Sequence, residues 1–452
     1  MDDTIAGIST SLGVGAISII RISGKDAIEK VNNIFTGCDL TSVDTHTIHY
    51  GKIKNKNNEI IDEVLVSIMK SPRTFTMEDV VEINSHGGIN STNKVLETIL
   101  EQEIRLAEPG EFTKRAFLNG RIDLTQAEAV MDLIESKTDK ARVQALNQLE
   151  GNMSKLISTF RSTIKELLAS IEVNIDYPEY NDIEVVTIEK VKDNLDKMKI
   201  KLEELINESR NGELIKEGIK TVIIGRPNVG KSSILNKLLD KDKAIVTDIE
   251  GTTRDVVEGS INIDGILLHL LDTAGIRETE DLVEKIGVEK SLSLIPEADL
   301  VLLVLNQAEK LTDSDLELLK TVDKNKTVIV LNKNDLEKKI EIDKLDSYIV
   351  VSTNTEDIEG IKELKIKIKE LFHLEKLETI DQTYLTNTRQ ISLAKKALES
   401  LTEAEKGIND DLPLDIVTID LKDAFDLLGE IIGETYTEEI IDHLFKNFCV
   451  GK

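Results

Sequence analysis

The spacing of apolar and polar residues divides the chain into segments of different period. Residues 1 to about 118 contain short apolar runs separated by glycine and polar turns, a pattern typical of strands mixed with helices. Residues 46–54 and 60–69 predict a β-hairpin across a short polar turn. Residues 13–24 predict a strand that leaves a glycine turn, and residues 79–84 predict a further short strand. We therefore expect an α+β domain at the N-terminus.

Two charged residues interrupt the apolar strands of this domain. Arg21 lies in the first of these predicted strands and Glu82 in the last. An unpaired carboxylate inside an apolar strand would be costly to bury. Glu82 therefore lies either at a strand edge that faces water or against a ligand, and the residues of this domain do not decide between the two.

From Gly120 onward the apolar residues recur with the helical period of about 3.6. Residues 125–128 have the form of a capping box, and one apolar stripe continues from 146 to 171. A second stripe follows from 191 to 206, and helical patterns return after residue 375. These stripes need partners for their apolar faces, which predicts a helical bundle built from both flanks of an inserted domain.

These changes of pattern predict the boundaries of the domains. The N-terminal domain covers 1–118, the first helical segment 119–214, the inserted domain 215–372 and the second helical segment 373–452.

The inserted domain begins with the most specific motif of the chain. An apolar run at 221–224 predicts a buried strand, residues 225–233 form the phosphate loop GRPNVGKSS, and a helical pattern follows. A glycine-rich turn between a strand and a helix directs backbone N–H groups inward and forms an anion site. Lys231 adds a charge for the β- and γ-phosphates, and the Ser232 hydroxyl is a candidate ligand of Mg²⁺. The expected phosphate contacts are Asn228, Val229, Gly230, Lys231, Ser232 and Ser233.

Two further motifs predict contacts to Mg²⁺ and to the γ-phosphate. Residues 251–255, GTTRD, contain Thr253, a candidate second hydroxyl ligand of Mg²⁺. The buried strand predicted at 267–271 ends in DTAG, where Asp272 can hold Mg²⁺ through water and the Gly275 N–H can contact the γ-phosphate. The expected nucleotide contacts in these segments are Gly251, Thr252, Thr253, Asp272, Thr273, Ala274 and Gly275. Further expected contacts, in the residues that precede the first motif, are Thr247, Asp248, Ile249 and Glu250.

The last two motifs concern the base. A strand predicted at 327–331 ends in NKND, whose expected base contacts are Asn332, Lys333 and Asp335. The carboxylate can accept both N–H groups of guanine, and adenine would leave it unpaired. Residues 352–353 stand where GTPases place their last base-contacting loop. Motifs in this order on alternating strands and helices predict a Ras-like α/β P-loop GTPase domain, with GTP as its substrate.

One expected residue of a Ras-like active site is replaced. The residue after the DTAG motif is Ile276, where Ras-like enzymes carry the glutamine that orients the attacking water. Either hydrolysis is slow, or another residue or an ion does this work. Glu284 is a nearby candidate for the catalytic residue, and the alternative is a solvated carboxylate at the start of a helix.

The composition of the chain indicates which residues build the cores, which partners are favoured and in which compartment the protein works. Hydrophobic residues make up 40% of the chain and tryptophan is absent, so Leu, Ile and Val must build the cores. The net charge of −28, from 84 acidic and 56 basic side chains, repels phosphate backbones, so a nucleic acid would need a local basic patch or a basic partner. Two cysteines make no disulfide framework, no apolar run reaches membrane-spanning length, and Asp2 and Asp3 occupy the place of a positive signal-peptide region. We expect a cytoplasmic protein without a membrane segment.

Several short motifs outside the inserted domain are distinctive. They lie at 85–88, 108–113, 115–120 and 123–128, and at the C-terminal residues 448–452, FCVGK. Together with the order of the domains, these motifs resemble those of the bacterial MnmE (TrmE) family of tRNA modification GTPases. The resemblance covers the whole chain.

The resemblance implies a function and a set of ligands. Family members work with the flavoprotein MnmG (GidA), as homodimers within a heterotetramer, and add an aminomethyl or carboxymethylaminomethyl group to C5 of the wobble uridine of certain tRNAs. A reduced folate such as 5-formyltetrahydrofolate supplies the one-carbon unit. The N-terminal domain would then bind the folate and dimerise, with contacts from Arg21, Glu82, Arg121 and Lys452.

The resemblance also implies a potassium-dependent pairing of two GTPase domains. Asn228, Thr247, Ile249 and Thr252 would hold K⁺, and Glu284 would position the water. This fits the missing glutamine, because the ion supplies positive charge where other GTPases use an arginine. The partner would carry most of the tRNA-binding surface, which fits the acidic charge of this chain.

Alternatives stay open for one residue and for the whole chain. Cys449 is either a nucleophile that attacks C6 of uridine or a small residue near the folate pocket, and the second interpretation is favoured because no base stands near it in the sequence. The rival functions are a GTPase that assembles ribosomes and a folate-dependent one-carbon transferase in which GTP is regulatory.

Overall fold

The structure is a computed structural model, and the residues that it describes fall into nine ranges. These are 3–176, 188–241, 259–263, 265–271, 292–354, 358–372, 384–446, 448 and 451. The chain separates into two compact units. The first comprises Met1–Met131, Leu149–Val173 and Leu421–Lys452, and the second comprises Asp132–Gln148 and Asn174–Asp420.

The first unit contains a seven-stranded sheet with the order β3-β4-β5-β6-β2-β1-β7. Neighbouring strands are antiparallel, except that β1 and β7 are parallel. The hairpin predicted at 46–54 and 60–69 is confirmed, because β4 pairs with β5 along most of its length. The strands are β1 Ile5–Ile8, β2 Ile17–Ser23, β3 Phe35–Thr36, β4 Thr47–Lys54, β5 Ile60–Met69, β6 Val80–His86 and β7 Arg105–Leu106.

The two faces of this sheet differ because side chains alternate along each strand. Apolar residues on one face, such as Ile20, Val66 and Ile83, form a core with helices α1 (Ala27–Ile34) and α2 (Ile89–Leu100). The opposite face carries the charged pair Arg21 and Glu82, described below.

Helices from both sides of the inserted domain also pack within the first unit. They are α3 (Glu111–Leu118), α4 (Leu124–Glu135), α6 (Asn152–Asp176), the end of α12 (Leu414–Ile432) and α13 (Glu438–Phe445). Phe117, Leu124, Ile441 and Phe445 share one apolar cluster. Arg161 of α6 donates to the Phe425 carbonyl at 3.2 Å and pairs with Glu434.

Two sequence predictions about these helices are corrected. The capping box lies two residues earlier than predicted, because the Asp123 carboxylate accepts from the Gln126 N–H and the Gln126 side-chain Oε1 accepts from the Asp123 N–H, each at 3.0 Å. The stripe from 146 to 171 is not one helix, since α5 (Asp139–Leu149) ends before Gly151, which has φ +80°.

The helical part of the second unit also joins segments from both flanks. Helix α7 (Ile188–Glu217) packs along α11 (Thr388–Asn409). Leu195 and Leu202 of α7 are fully buried, and Lys199 pairs with Glu405 of α11. A helical bundle built from two chain segments is therefore confirmed.

The inserted domain contains a six-stranded sheet with the order β13-β12-β11-β8-β10-β9. Strand β9 is antiparallel to β10, and the other neighbours are parallel. Apolar clusters cover both faces, as expected of a parallel sheet between two helical layers. The elements are β8 Ile219–Ile224, α8 Lys231–Lys241, β9 Ser260–Ile263, β10 Ile266–Leu270, β11 Leu300–Asn306, α9 Asp313–Thr321, β12 Thr327–Asn332, β13 Ile349–Ser352 and α10 Ile358–Leu371.

This arrangement places the predicted nucleotide motifs at one edge. Strands β8 and β12 lie parallel on either side of β11, so their carboxyl ends point the same way. Ligands of open parallel sheets bind outside these carboxyl ends.

Among the described residues, no helix combines the length and apolar character needed to cross a membrane.

Candidate functional site

The phosphate loop follows β8 and leads directly into α8. Gly225 has φ +150° and lies against the Val304 carbonyl oxygen, so a side chain at this position would collide with β11. Asn228 and Gly230 have φ of +61° and +97°. Positive φ values of this kind let a short loop curve around an anion, because successive N–H groups then point into one concavity.

Backbone carbonyl groups of the phosphate loop hold the Lys231 side chain over the loop. Its Nζ donates to the carbonyl oxygens of Gly225 and Arg226 at 3.0 and 2.9 Å. The ammonium group therefore lies at the helix N-terminus, where both the exposed N–H groups and the charge favour phosphate. The position of Lys231 therefore fits the binding of a phosphate group.

An arginine that the sequence analysis did not consider anchors the phosphate loop. Arg226 Nε donates to Asp315 at 2.8 Å, and its Nη2 donates to Glu309 at 3.0 Å. Burial would lower the pKa of Arg226, but the bonds to these two carboxylates outweigh it and raise the pKa. The bond from Arg226 lowers the pKa of Glu309. These contacts fix the loop against α9 and the end of β11.

The base loop lies beside the phosphate loop. Asn332 Nδ2 donates to the Val229 carbonyl at 2.8 Å, so the NKND motif and the phosphate loop are directly joined. The Asn334 N–H donates to the Thr353 carbonyl at 3.1 Å, and Asn354 Nδ2 donates to Asn334 Oδ1 at 2.5 Å. Asp335 is exposed to solvent, as a base-contacting carboxylate requires.

The predicted sites fall only partly within the described residues. The structure brings together the phosphate loop, the base loop and the last predicted base-contacting loop at 352–354. The following predicted residues lie outside the described ranges: Thr247, Asp248, Ile249, Glu250, Gly251, Thr252, Thr253, Asp272, Thr273, Ala274, Gly275, Glu284, Cys449 and Lys452.

A second candidate site lies on the N-terminal sheet. Arg21 of β2 and Glu82 of β6 are directly opposite in the strand register. Arg21 Nε and Nη2 each lie 2.9 Å from Glu82 Oε1. The predicted alternative of an edge strand is wrong, because β6 pairs with both β5 and β2. The cost of burying either charge is reduced by the other.

A phenylalanine joins this pair to the third predicted folate residue. The guanidinium carbon of Arg21 lies 5.5 Å from the centre of the Phe75 ring, and that of Arg121 lies 4.9 Å from it. Arg121 Nη1 also donates to the Phe75 carbonyl at 3.1 Å. Arg21, Phe75, Glu82 and Arg121 form what we call the arginine site.

An ion network centred on the buried Arg115 lies in the same unit as the arginine site. Arg115 is 1% exposed and contacts Asp3, Glu78 and Glu111 at 2.8, 3.1 and 3.1 Å. Arg105 contacts Glu111 at 2.5 Å. Burial would raise the pKa of Glu111, but hydrogen bonds from Arg105, the Glu108 N–H and Arg115 lower it. We call these five side chains the Arg115 network. Glu111 and Arg115 belong to the distinctive motifs at 108–113 and 115–120, but the ion pairs with Asp3 and Glu78 were not predicted because they join residues distant in the sequence.

The motif at 85–88 contains His86, which forms a polar cluster with Asp62 and Ser91. His86 Nδ1 lies 2.7 Å from Asp62 Oδ1, and Ser91 Oγ donates to Asp62 Oδ2 at 3.0 Å. The hydrogen bond to Asp62 and its charge raise the pKa of His86. Burial would raise the pKa of Asp62, but the bonds from His86 and Ser91 lower it.

Comparison with known proteins decides the family. The model of the GTP-binding protein TrmE N-terminus matches residues 4–121, and the model of the MnmE helical domain matches residues 124–449. The chain belongs to the MnmE (TrmE) family of tRNA modification GTPases. Together the two matches span both units and the inserted domain.

Relatives of this family extend over the full chain. The tRNA modification GTPase MnmE of Bacillus cytotoxicus is 53% identical over 100% of this chain and 99% of its own length. The protein of the same name from Bacillus mycoides is 52% identical with the same coverage. The solved G domain of the T. maritima FeoB iron transporter covers 34% of this chain and 98% of its own, at 27% identity and a TM-score of 0.24.

Membership in the MnmE family accounts for the inserted domain. The phosphate loop and the base loop are those of a GTPase, so GTP hydrolysis belongs to the activity of this chain. The arginine site lies within the segment that matches the TrmE N-terminus.

Proposed function

We propose that this protein is the GTP-hydrolysing component of a complex that modifies C5 of the wobble uridine in certain tRNAs. The added group is aminomethyl or carboxymethylaminomethyl, and a reduced folate supplies its one-carbon unit. The observation that carries the proposal is the coexistence of two unlike sites in a chain of the MnmE family. One is the phosphate loop with Lys231, and the other is the arginine site.

The phosphate loop and the segments after it would bind GTP with Mg²⁺ and K⁺. Ser232 and Thr253 would hold Mg²⁺, which neutralises charge on the β- and γ-phosphates. Asn228, whose positive φ turns it within the loop, would hold K⁺ together with the residues of the following loop. Those further K⁺ ligands would be Thr247, Ile249 and Thr252.

Glu284 would orient the attacking water in place of the glutamine that Ile276 replaces. Replacing K⁺ by Na⁺ should slow hydrolysis, because Na⁺ is too small for carbonyl oxygens placed at K⁺ distances. Glu284→Ala should reduce hydrolysis by about 100-fold or more, the scale of a lost water-orienting group, and keep K⁺-dependent pairing. Steady-state hydrolysis in KCl and NaCl at equal ionic strength, with light scattering to follow pairing, tests both effects. Equal rates in the two salts would contradict the potassium mechanism.

The arginine site fits the flat, polar ring of a reduced folate such as 5-formyltetrahydrofolate. Glu82 can accept from the N–H groups of a pterin, as carboxylates do from paired donors. Arg121 is exposed and offers its guanidinium to an anionic group. Lys452 would add a further charge. The proximity of Arg21, Glu82 and Arg121 supports this assignment.

The open face of the N-terminal sheet supports a homodimer. Ile48, Tyr50 and Leu65 lie on neighbouring strands, and these large apolar side chains are 66%, 64% and 45% exposed. Clustered apolar exposure of this kind marks a protein interface. The dimer would join the flavoprotein MnmG in a heterotetramer in the cytoplasm. Because this chain carries a net charge of −28, MnmG would hold most of the tRNA.

Nucleoside analysis of tRNA from cells that lack the protein tests the proposal most directly. We expect the wobble-uridine modification to disappear and to return with the wild-type gene. Normal tRNA with immature ribosomal subunits would contradict the proposal and support a ribosome-assembly GTPase. If the Lys231→Ala variant restores the modification, GTP hydrolysis is not needed for it. That result would support the alternative of a folate-dependent one-carbon transferase in which GTP is regulatory.

A further inference from the structure

The Phe75 ring lies near two guanidinium groups. The rings of Phe75 and Phe112 both lie near Arg21, at 5.5 and 5.8 Å from its guanidinium carbon. Arg121 approaches Phe75 more closely, at 4.9 Å. An arginine within about 6 Å of an aromatic centroid is attracted by the ring quadrupole. One ring therefore restrains both arginines.

The two arginines differ in what else they contact. Arg21 is paired with Glu82, which neutralises its charge. Arg121 is exposed, makes no ion pair with the described residues, and donates one hydrogen bond to the Phe75 carbonyl. Phe75 thus contacts Arg121 through both its ring and its backbone. These two contacts direct an uncompensated positive charge beside a compensated pair.

The segment around Phe75 is itself rigidly bonded. Thr74 Oγ1 donates to the Glu78 carbonyl at 2.6 Å, and Asn119 Nδ2 donates to the Thr76 carbonyl at 2.7 Å. The Glu78 carboxylate contacts Arg115 of the buried network at 3.1 Å. The Phe75 ring packs against apolar clusters on two sides, which include Ile5, Phe112, Ala116 and Phe117. The ring is therefore a fixed support and not a mobile surface residue.

We propose that Phe75 is a positioning residue that holds the Arg121 guanidinium beside the Arg21–Glu82 pair. Two subsites result: a neutral, hydrogen-bonding subsite at Arg21 and Glu82 for a flat polar ring, and an anion subsite at Arg121 for a carboxylate. A ligand that joins a pterin-like ring to a carboxylate matches both. The inference rests on the proposed folate function and assigns the ends of the ligand within that same site.

The binding test compares Phe75→Leu with Phe75→Tyr in the full-length protein. Leucine keeps an apolar side chain but lacks the ring, whereas tyrosine keeps the ring. In calorimetric titrations with 5-formyltetrahydrofolate we expect Phe75→Leu to weaken binding by about 5- to 30-fold and Phe75→Tyr by less than about 3-fold. Phe372→Leu, a partly buried phenylalanine of the second unit, is the matched control and should bind as the wild type does.

A double-mutant cycle separates positioning from general loosening of the fold. If Phe75 acts through Arg121, Phe75→Leu should weaken binding much less in an Arg121→Met background than in the wild type. Additive losses, or wild-type affinity of Phe75→Leu, would overturn the inference and leave the folate proposal intact. Failure of the wild type itself to bind would instead overturn the folate proposal.

A ligand-free measurement keeps the inference testable in every case. In protein labelled with ¹⁵N-arginine, the Nε–H order parameter of Arg121 should fall in Phe75→Leu and stay near the wild-type value in Phe75→Tyr. If Phe75→Leu does not fold, Phe75→Met offers a second side chain without a ring. Unchanged order of Arg121 in the variant without a ring would show that Phe75 does not hold it.

Discussion

The phosphate loop and the arginine site are built from different parts of the chain. The phosphate loop is one continuous stretch whose shape is fixed by backbone conformation at Gly225, Asn228 and Gly230. The arginine site consists of side chains from separate elements, which come together because β2 pairs with β6 and because a bonded loop presents Phe75. The first site depends on local geometry, and the second depends on the tertiary structure beneath it.

This difference has consequences for substitution. Removing the Lys231 side chain leaves in place the backbone N–H groups of the phosphate loop and the Arg226 contacts that anchor it. The arginine site lies on the Arg115 network, in which every charge is compensated by a neighbour. Removing Arg115 would take a cation away from the Glu78 and Glu111 carboxylates, which are 15% and 5% exposed. The N-terminal site should therefore be sensitive to residues that never contact its ligand.

The largest effect is expected from Arg115→Met. The change leaves the Glu78 and Glu111 carboxylates without this cation in a buried setting, at a cost of about 3–5 kcal/mol in the free energy of unfolding of the N-terminal domain. Thermal and urea unfolding measure the loss. Arg142→Met, which breaks an exposed pair with Asp139, should cost less than about 1 kcal/mol. Similar stability of the two variants would show that the network does not support the fold.

The second effect concerns Lys231→Ala in the phosphate loop. Loss of the ammonium group should lower GTP hydrolysis by about 100- to 1,000-fold, the scale of a lost charge-stabilising group at a phosphate. The control is Lys237→Ala, on the same helix but away from the loop. Hydrolysis rates measure the effect, and circular dichroism shows whether each variant is folded. Retained activity in Lys231→Ala would show that the phosphate loop is not part of the active site.

The third effect is a change of specificity in the base loop. Asp335→Asn should weaken GTP binding by about 100-fold and favour xanthosine triphosphate, because an amide cannot accept two guanine N–H groups. Glu337→Gln, two residues further along the same exposed loop, is the matched control. Competition between the two nucleotides measures the change. Unchanged preference for GTP would place the base elsewhere.

The smallest effect is a pH dependence at the motif 85–88. Folding raises the pKa of His86, so its charged form stabilises the folded state. This stabilisation is complete below the ordinary histidine pKa of about 6.5 and disappears as pH rises through the higher folded value. His86→Gln should therefore lower the melting temperature slightly at pH 6 and less at pH 8. The control is His49→Gln, because His49 contacts the Thr47 hydroxyl and, within the described part of the chain, no carboxylate. Equal losses at both pH values in His86→Gln would contradict the charge pairing.

The two sites also differed in how far sequence could predict them. Residues 225–233 were predicted with their strand and helix because the motif is contiguous and its backbone requirements are local. Asn332 and Asp335 followed from the strand that precedes them. The contact of Arg226 with α9 was missed, since it joins residues that only the fold brings together.

The arginine site could be predicted in composition but not in geometry. The resemblance to the family indicated Arg21, Glu82 and Arg121. The hydrophobic pattern alone did not decide whether Glu82 lies at a strand edge that faces water or against a ligand. In the structure Glu82 lies within the sheet and pairs with Arg21, because the register of β2 and β6 places the two residues opposite each other. The role of Phe75 was not predicted. Arg115 opens the distinctive motif at 115–120, but its ion pairs with Asp3 and Glu78 join residues that are distant in the sequence and were not predicted either.

The most direct test of two independent sites is a pair of calorimetric titrations on two variants. Lys231→Ala and Glu82→Ala are each titrated with GTP and with 5-formyltetrahydrofolate, beside the wild type. We predict that Lys231→Ala loses GTP binding and keeps folate binding, whereas Glu82→Ala keeps GTP binding and loses about 1–3 kcal/mol of folate binding. Wild-type folate affinity in Glu82→Ala, or loss of both ligands in either variant, would contradict the account.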